Sequence, residues 1–253
     1  MKTALVSGAG SGIGREVSLA LSQAEYKIIL IGRRKEALVE TQSLMTNKSE
    51  HITLAVDISD QLALQESLSR INLTQMNLCA VIANAGIAGE NNYGKEDRWD
   101  EIIKTNLTGT YYLVNEVLNG LKNSTQEYKH VVMISSILAK LGVPGYSAYC
   151  ASKAGLLGLM RSWAAEWAMD KILVNAICPG WVETEMARSG IEKIAKATSK
   201  SYGEILKQQM AMTPLKKMSR PEEIANLIQY LISEKQNSIT GQSIDINNGA
   251  GMY

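Results

Sequence analysis

The sequence offers little from which a metal centre, a disulfide framework, a membrane span or a nucleic-acid face could be built. Histidine occurs only twice, at His51 and His130, far apart and outside any ligand-like cluster, so no metal site is expected. Cysteine occurs three times, at Cys79, Cys150 and Cys178. An odd number without C-x-x-C spacing, in apolar surroundings, suits buried free thiols in a reducing compartment. No apolar run approaches the roughly eighteen residues of a membrane helix. Met1-Lys-Thr-Ala-Leu-Val6 runs straight into glycines, without the apolar region and cleavage site of a secretory leader. A cytoplasmic protein with no membrane partner is therefore expected. The 26 basic and 25 acidic residues are dispersed, which leaves a formal charge of +1 and no basic block to track a phosphate backbone. Nucleic acid is accordingly not expected as a partner.

What is present is a regular alternation. With 45% apolar residues, the 253-residue chain can bury one large core. Thr3-Ala-Leu-Val-Ser7 reads as a strand, and Gly8-Ala-Gly-Ser-Gly-Ile-Gly14 follows before Ile13, Val17, Ala20, Leu21 and Ala24 recur at helical spacing. Glycines at 8, 12 and 14 allow close approach to a pyrophosphate, and the helix start behind them offers free N–H groups; a tight turn alone is the alternative. Lys27–Ile31, the second strand, runs into Gly32-Arg33-Arg34, where a fold that prefers NAD usually places an acid. Arg33 could instead clamp a 2′-phosphate and stack on adenine, which points to NADP, or Arg33 and Arg34 could be a solvated arginine pair opening the next helix.

The third strand, Ile52–Val56, ends at Asp57, which could accept from an adenine amino group or cap the helix containing Leu64, Leu68 and Ile71. Leu78–Ala83 has the continuous apolar character of a strand covered on both faces, and Asn84-Ala-Gly86 ends it with small residues that let cofactor approach. In the next helix (Trp99, Ile102, Ile103, Leu107, Val114, Val117, Leu121) Asn106 interrupts the pattern; it marks either an internal polar site or a plain surface position. After strand Ile172–Ile177, Pro179 and Gly180 turn the chain. The stretch 185–212, rich in Lys, Ser and Met, reads as a less regular, mobile substrate lid with short helices, whose Met186, Met210 and Met212 line a pocket or fill core. Arg220-Pro-Glu-Glu223 starts a helix, and Ser243–Ile246 is a last strand before Gly249–Tyr253. The fold class implied is α/β, a doubly wound parallel sheet in a Rossmann-type single domain, 1–253.

Proton chemistry centres on Tyr149-Cys-Ala-Ser-Lys153. Residues four apart share a helix face, with Cβ atoms about 6 Å apart, so Lys153 can hold its ammonium near the Tyr149 ring. A nearby positive charge can lower a tyrosine pKa from about 10 by about 1 to 3 units. The alternative is a ring on the core edge with a solvated amine. Ser136 closes the apolar run Val131–Ile134, so its hydroxyl sits at a strand end, where open α/β sheets bind ligands.

Taken together, Ser7-Gly8-x-x-x-Gly12-x-Gly14, Asn84-Ala-Gly86, Asn106, Ser136, Tyr149-x-x-x-Lys153 and Pro179-Gly180 resemble, in order and spacing, the short-chain dehydrogenase/reductase family. The resemblance implies that Ser136 hydrogen-bonds a carbonyl oxygen, Tyr149 supplies or removes its proton, Lys153 lowers the tyrosine pKa and binds the nicotinamide ribose, and Asn106 holds a relay water. Gly8, Ser11, Gly12, Ile13, Gly14, Arg33, Asp57, Ile58, Asn84, Gly86, Pro179, Val182 and Thr184 then look like cofactor contacts, alongside Tyr149 and Lys153. Departures are mild: Ser7 stands for the usual Thr, and Ala83 for a common second Asn. The expected activity is NADP(H)-dependent interconversion of a ketone and a secondary alcohol by a homo-oligomer, tetramer or dimer. The alternatives are a 3-oxoacyl-carrier-protein reductase and, from another class, a non-catalytic NADP-sensing protein. Glu127 and Asp170 stand where carrier-protein enzymes of the family tend to have basic residues, which favours a small or cyclic ketone that no carrier delivers. Lys122, Lys129 and Lys171 lie close enough in sequence to compensate.

Overall fold

Seven short strands carry the architecture: β1 (Thr3–Ser7), β2 (Lys27–Gly32), β3 (Ile52–Ala55), β4 (Leu78–Ala83), β5 (Lys129–Ile134), β6 (Ile172–Pro179) and β7 (Ser243–Ile246). In the computed structural model, which describes residues 1–252, they pair in parallel in the order β3-β2-β1-β4-β5-β6-β7. Tyr253, the last residue of the expected 1–253 unit, lies outside the described residues. β1, β4 and β5 are buried along their whole length. Leu5 of β1 faces one apolar layer, with Leu64, Val117 and Trp163, while Ala4 and Val6 face the other, with Val17, Leu38 and Ile228. A parallel sheet covered on both faces selects this continuous apolar character.

The helices are α1 (Gly12–Gln23), α2 (Lys35–Leu44), α3 (Gln61–Ser69), α4 (Trp99–Ile103), α5 (Gly109–Lys122), α6 (Ser147–Glu166), α7 (Glu185–Thr198), α8 (Tyr202–Ala211) and α9 (Pro221–Leu231). Strand order reverses between β1 and β4, which opens a crevice at their carboxyl ends, the ligand position of doubly wound sheets. Among the described residues no helix is long and apolar enough to cross a membrane.

Four local expectations change. The less regular stretch with short helices expected over 185–212 is two well-formed helices, α7 capped by Thr184 and α8 by a Ser201–Glu204 capping box. They share a small core of Ile191, Ile205 and Met210, while Met186 and Met212 are exposed. Asp60 caps α3, accepting from Ala63 N at 3.1 Å, so Asp57 does not. β3 stops at Ala55, one residue short of the expected end. The interruption at Asn106 is a π-helical turn, Lys104–Thr108, that joins α4 to α5 and turns the asparagine fully inward, so it is no surface residue.

Candidate active site

The glycine turn after β1 is fixed by contacts that leave no room for side chains. A Cβ on Gly14 would lie 2.2 Å from the Gly8 carbonyl oxygen and 2.5 Å from Asn84 Nδ2. Gly8 and Gly12 hold positive φ, at 66° and 53°. Ser7 and Asn84 tie β1 to β4: the Ser7 hydroxyl accepts from the amides of Asn84 and Ala85, both at 3.0 Å, and Asn84 Nδ2 donates to Ser7 O at 2.9 Å. The Asn84 side chain thus braces the turn. Ser11, the N-cap of α1, makes no side-chain cap, so the first amides of the helix stay available to an anion. Ile13 packs in the layer beneath.

A cleft of about 200 Å³ opens beside this turn, between Gly8, Ser11, Arg33, Asp57, Ile58 and Gly86. A larger cavity of about 320 Å³ beside Met1, Tyr26 and His51 lies at the amino ends of β1–β3 and gathers none of the expected site residues. In the cleft, Arg33 Nη1 stands 3.8 Å from Asp57 Oδ2, and Asp57 Oδ1 accepts from Ser59 N at 2.9 Å. Arg34, which sequence reading left out of the site, reaches back with Nη2 to Ser11 Oγ at 3.5 Å. Two guanidinium groups therefore flank the cleft, the second at the position where sequence alone offers only Ser11.

Ser136 follows β5 and starts a short 3-10 turn (Ile137–Ala139), where its Oγ accepts from Leu138 N at 3.1 Å. Its hydroxyl stands near enough to the Tyr149 phenol to favour the ionised form. Tyr149 and Lys153 lie in the first two turns of α6, and Lys153 Nζ is 5.6 Å from the Tyr149 ring centroid. Lys153 is 4% exposed and donates to Ile134 O at 2.8 Å, while Ser135 Oγ holds the Lys153 carbonyl at 2.9 Å. Asn106 grips the Ile87 backbone at both ends, accepting from its amide at 2.8 Å and donating to its carbonyl at 2.9 Å. Its Nδ2 also donates to Ser152 Oγ at 3.1 Å. A Cβ on Gly86 would lie 3.1 Å from Asn106 Oδ1 and 3.4 Å from Lys153 Nζ, so these three positions converge.

The expected lowering of the tyrosine pKa is not met. Burial pushes Tyr149 up to about 12, against the pull of the Ser136 hydrogen bond. The residue is half-buried, and desolvation outweighs that hydrogen bond in setting the direction. The same desolvation pulls the Lys153 ammonium down to about 8.

Pro179 ends β6, and Val182 bridges to Ser219. Thr184 caps α7 and stands over the glycine turn: a Cβ on Gly12 would lie 3.1 Å from its Cγ2. Glu127 and Asp170 lie elsewhere. Each precedes a strand that Ser136 or Pro179 follows or ends, and each is paired, with Lys171 and Lys122 respectively, at 2.7 Å. Lys129, 7% exposed, adds a donation to Asp170 O at 2.6 Å. Among the described residues no group of His, Cys, Asp and Glu is arranged to hold a metal ion.

Comparison with known proteins agrees with this geometry. Residues 8–251 match a family model described as enoyl-(acyl carrier protein) reductase. The chain is 32% identical over 255 residues to a 3-oxoacyl-acyl-carrier-protein reductase of Buchnera aphidicola subsp. Schizaphis graminum, covering 100% of this chain and 97% of that one. It is 31% identical over 250 residues to the acetoacetyl-CoA reductase of Shinella zoogloeoides, covering 98% of each. Among solved structures, a variant of actinorhodin polyketide ketoreductase with NADPH superposes at a TM-score of 0.92 and 29% identity, covering 100% of this chain and 98% of that one.

Proposed function

The chain belongs to the short-chain dehydrogenase/reductase family, and from that premise we propose that this oxidoreductase is an NADP-dependent ketoreductase working through Ser136, Tyr149 and Lys153. The observation that carries the reading is the convergence of the buried Lys153 Nζ, 5.6 Å from the Tyr149 ring centroid, with Gly86 and Asn106 at the switch-point crevice, with Ser136 beside the phenol. A dinucleotide fits the site: the glycine turn has no room for side chains, the α1 amides are open to a pyrophosphate, and Arg33 and Arg34 suit a 2′-phosphate. Bound NADPH supplies the hydride. Ser136 and Tyr149 donate to the carbonyl oxygen as negative charge develops there, and Tyr149 gives up its proton. A phenol held near 12 keeps that proton throughout the neutral range, which suits an acid in ketone reduction. Lys153 adds positive charge and holds the nicotinamide ribose. Asn106, whose side chain is taken up by Ile87 and whose carbonyl accepts from Thr110 Oγ1 at 2.8 Å, shapes the wall, and the second lone pair of that carbonyl is where a relay water would be held. Asp57 and Ile58 face the adenine, while Asn84, Pro179, Val182 and Thr184 complete the cofactor walls. Helices α7 and α8 form the lid. We also infer a homo-oligomer, for which Tyr111, 46% exposed and stacked on Trp163, offers an aromatic contact face on α5.

Tyr149→Phe tests the reading. NADPH affinity should hold while ketone turnover falls about 100-fold or more, a general-acid contribution. Near-normal turnover refutes the role, and NADPH binding without turnover of any ketone by the unmodified protein supports a sensing protein instead.

A second reading, reduction of a 3-oxoacyl thioester, is favoured by the names of the relatives and by the pairing of Glu127 and Asp170 with lysines, which removes the like charge an acidic carrier would meet. Comparing carrier-bound and simple ketones across ionic strength separates the two. Efficient carrier-dependent turnover that falls with salt supports the thioester reading. Salt-independent preference for simple ketones supports the small or cyclic substrate.

A further inference from the structure

Helix α6 carries Tyr149 as its third residue, yet its own N-cap, Tyr146, makes no side-chain cap. The cap comes from a distant loop. Asn91, 56 residues earlier and 4% exposed, accepts with Oδ1 from Ala148 N at 2.9 Å and from Ser147 Oγ at 3.1 Å. Its backbone amide donates to Gly145 O at 2.9 Å. Its Nδ2 donates to Asp97 Oδ1 at 3.3 Å, and that same oxygen accepts from Trp99 N at 3.0 Å, at the start of α4. One buried carboxamide therefore joins the loop after β4, the first turn of α4 and the turn that presents the phenol.

We propose that Asn91 is a positioning residue that holds the first turn of α6, and with it the Tyr149 hydroxyl, in register with the cofactor side of the crevice. This rests on the catalytic reading of Tyr149 above. The first helical amides have no intrahelical acceptor, so a helix end without a cap frays or shifts. The loop that supplies the cap is the one whose earlier residues, Asn84 and Ile87, are fixed to the glycine turn and to Asn106. Crevice wall and proton donor are thus joined through one side chain. A displacement of about 1 Å at a reacting group can cost about 100-fold in rate.

The test compares Asn91→Ala with the paired exchange Asn91→Asp plus Asp97→Asn. In the exchange, the new carboxylate can accept from Ser147 and Ala148, and the new carboxamide can donate to it while still accepting from Trp99. Expected for Asn91→Ala are a turnover lowered by about 10- to 100-fold, NADPH binding within about twofold of the unmodified protein, and a larger solvent deuterium isotope effect as proton delivery becomes limiting. The exchange should return turnover to within about threefold and the isotope effect to its original size. A merely structural role would lower the melting temperature without raising the isotope effect. Turnover within about twofold in Asn91→Ala overturns the proposal, and so does an exchange variant that folds yet stays as slow as the alanine variant. Should the alanine variant not fold, Asn91→Gln, which keeps the amide but moves its oxygen, replaces it with the same outcomes. Tyr149→Phe run alongside separates the two readings: retained turnover there overturns the catalytic assignment, whereas loss there with none in Asn91→Ala overturns only the positioning role.

Discussion

Replacing Arg33 by Ala tests cofactor choice, and the structure sets the size of the effect. A charge-assisted contact to phosphate contributes about 1.5 to 3 kcal/mol, or roughly 10- to 150-fold in affinity. The Arg33 side chain is 61% exposed and already stands 3.8 Å from Asp57, so the lower end applies. NADPH affinity should fall about 10-fold and NADH affinity should change little. Asp57→Asn then provides the control. Oδ1 keeps its bond from Ser59, but the charge competing for Arg33 is gone. At such a separation in a solvated site that competition costs about 1 kcal/mol, so NADPH should bind up to about fivefold tighter. Fluorescence titration with both cofactors reads this directly, and the preference should shrink as salt rises. Equal losses of NADPH and NADH in Arg33→Ala would refute the phosphate role. Weakening of both cofactors in Asp57→Asn would instead show that the carboxylate contacts the adenine.

Two further outcomes follow from packing and burial. Gly14→Ala places a methyl against backbone that cannot move aside, so it should destabilise the protein by about 2 kcal/mol or more and abolish NADPH binding; an unchanged melting temperature would contradict the packing argument. Lys153, held at about 8 against roughly 10.4 in an unfolded chain, sheds its proton first in the folded state, so the cost of burying its charge is full below pH 8 and relieved as pH rises toward 10. Urea unfolding should therefore show the unmodified protein gaining about 2 kcal/mol over Lys153→Met between pH 7 and 9.5. A constant difference would mean that the lysine is not depressed.

Most of the sheet was legible because both its faces are covered, so each central strand had to be a short apolar run closed by small or polar residues. The glycine turn and the Tyr149–Lys153 pair were legible for a similar reason: each is a local spacing that one turn or one helix face converts directly into geometry. What escaped was set by contacts distant in sequence. Arg34 meets Ser11 across 23 positions and Asn91 meets Ala148 across 57, and no local pattern announces either. Helices α7 and α8 were legible only as short helices in a less regular stretch, for another cause. Their buried residues are few and close mainly on each other, Ile191 against Ile205 and Met210, although Ser201-x-x-Glu204 is a capping signature that sequence alone displays.

What Glu127 and Asp170 can do depends on distance along a strand. Glu127 lies just before β5 and Ser136 just after it, and a six-residue parallel strand spans about 20 Å at roughly 3.3 Å per residue. Residues that flank one strand at its two ends sit at opposite ends of the sheet, however close their numbers. Exposed charge is screened within about 8 Å at physiological salt. Within one chain, then, neither acid acts on the reacting carbonyl at Ser136, and each can repel only a carrier whose docking face reaches that end of the sheet. In the proposed homo-oligomer a partner subunit can bring that patch to the mouth of the crevice, so the salt dependence of carrier turnover is to be read together with the oligomeric state. Lys171→Glu, which leaves the Tyr149 site untouched and turns the paired patch acidic, should lower carrier-dependent turnover only if that assembly brings the patch within reach. An equal loss with simple ketones would mean that the substitution acts on the fold.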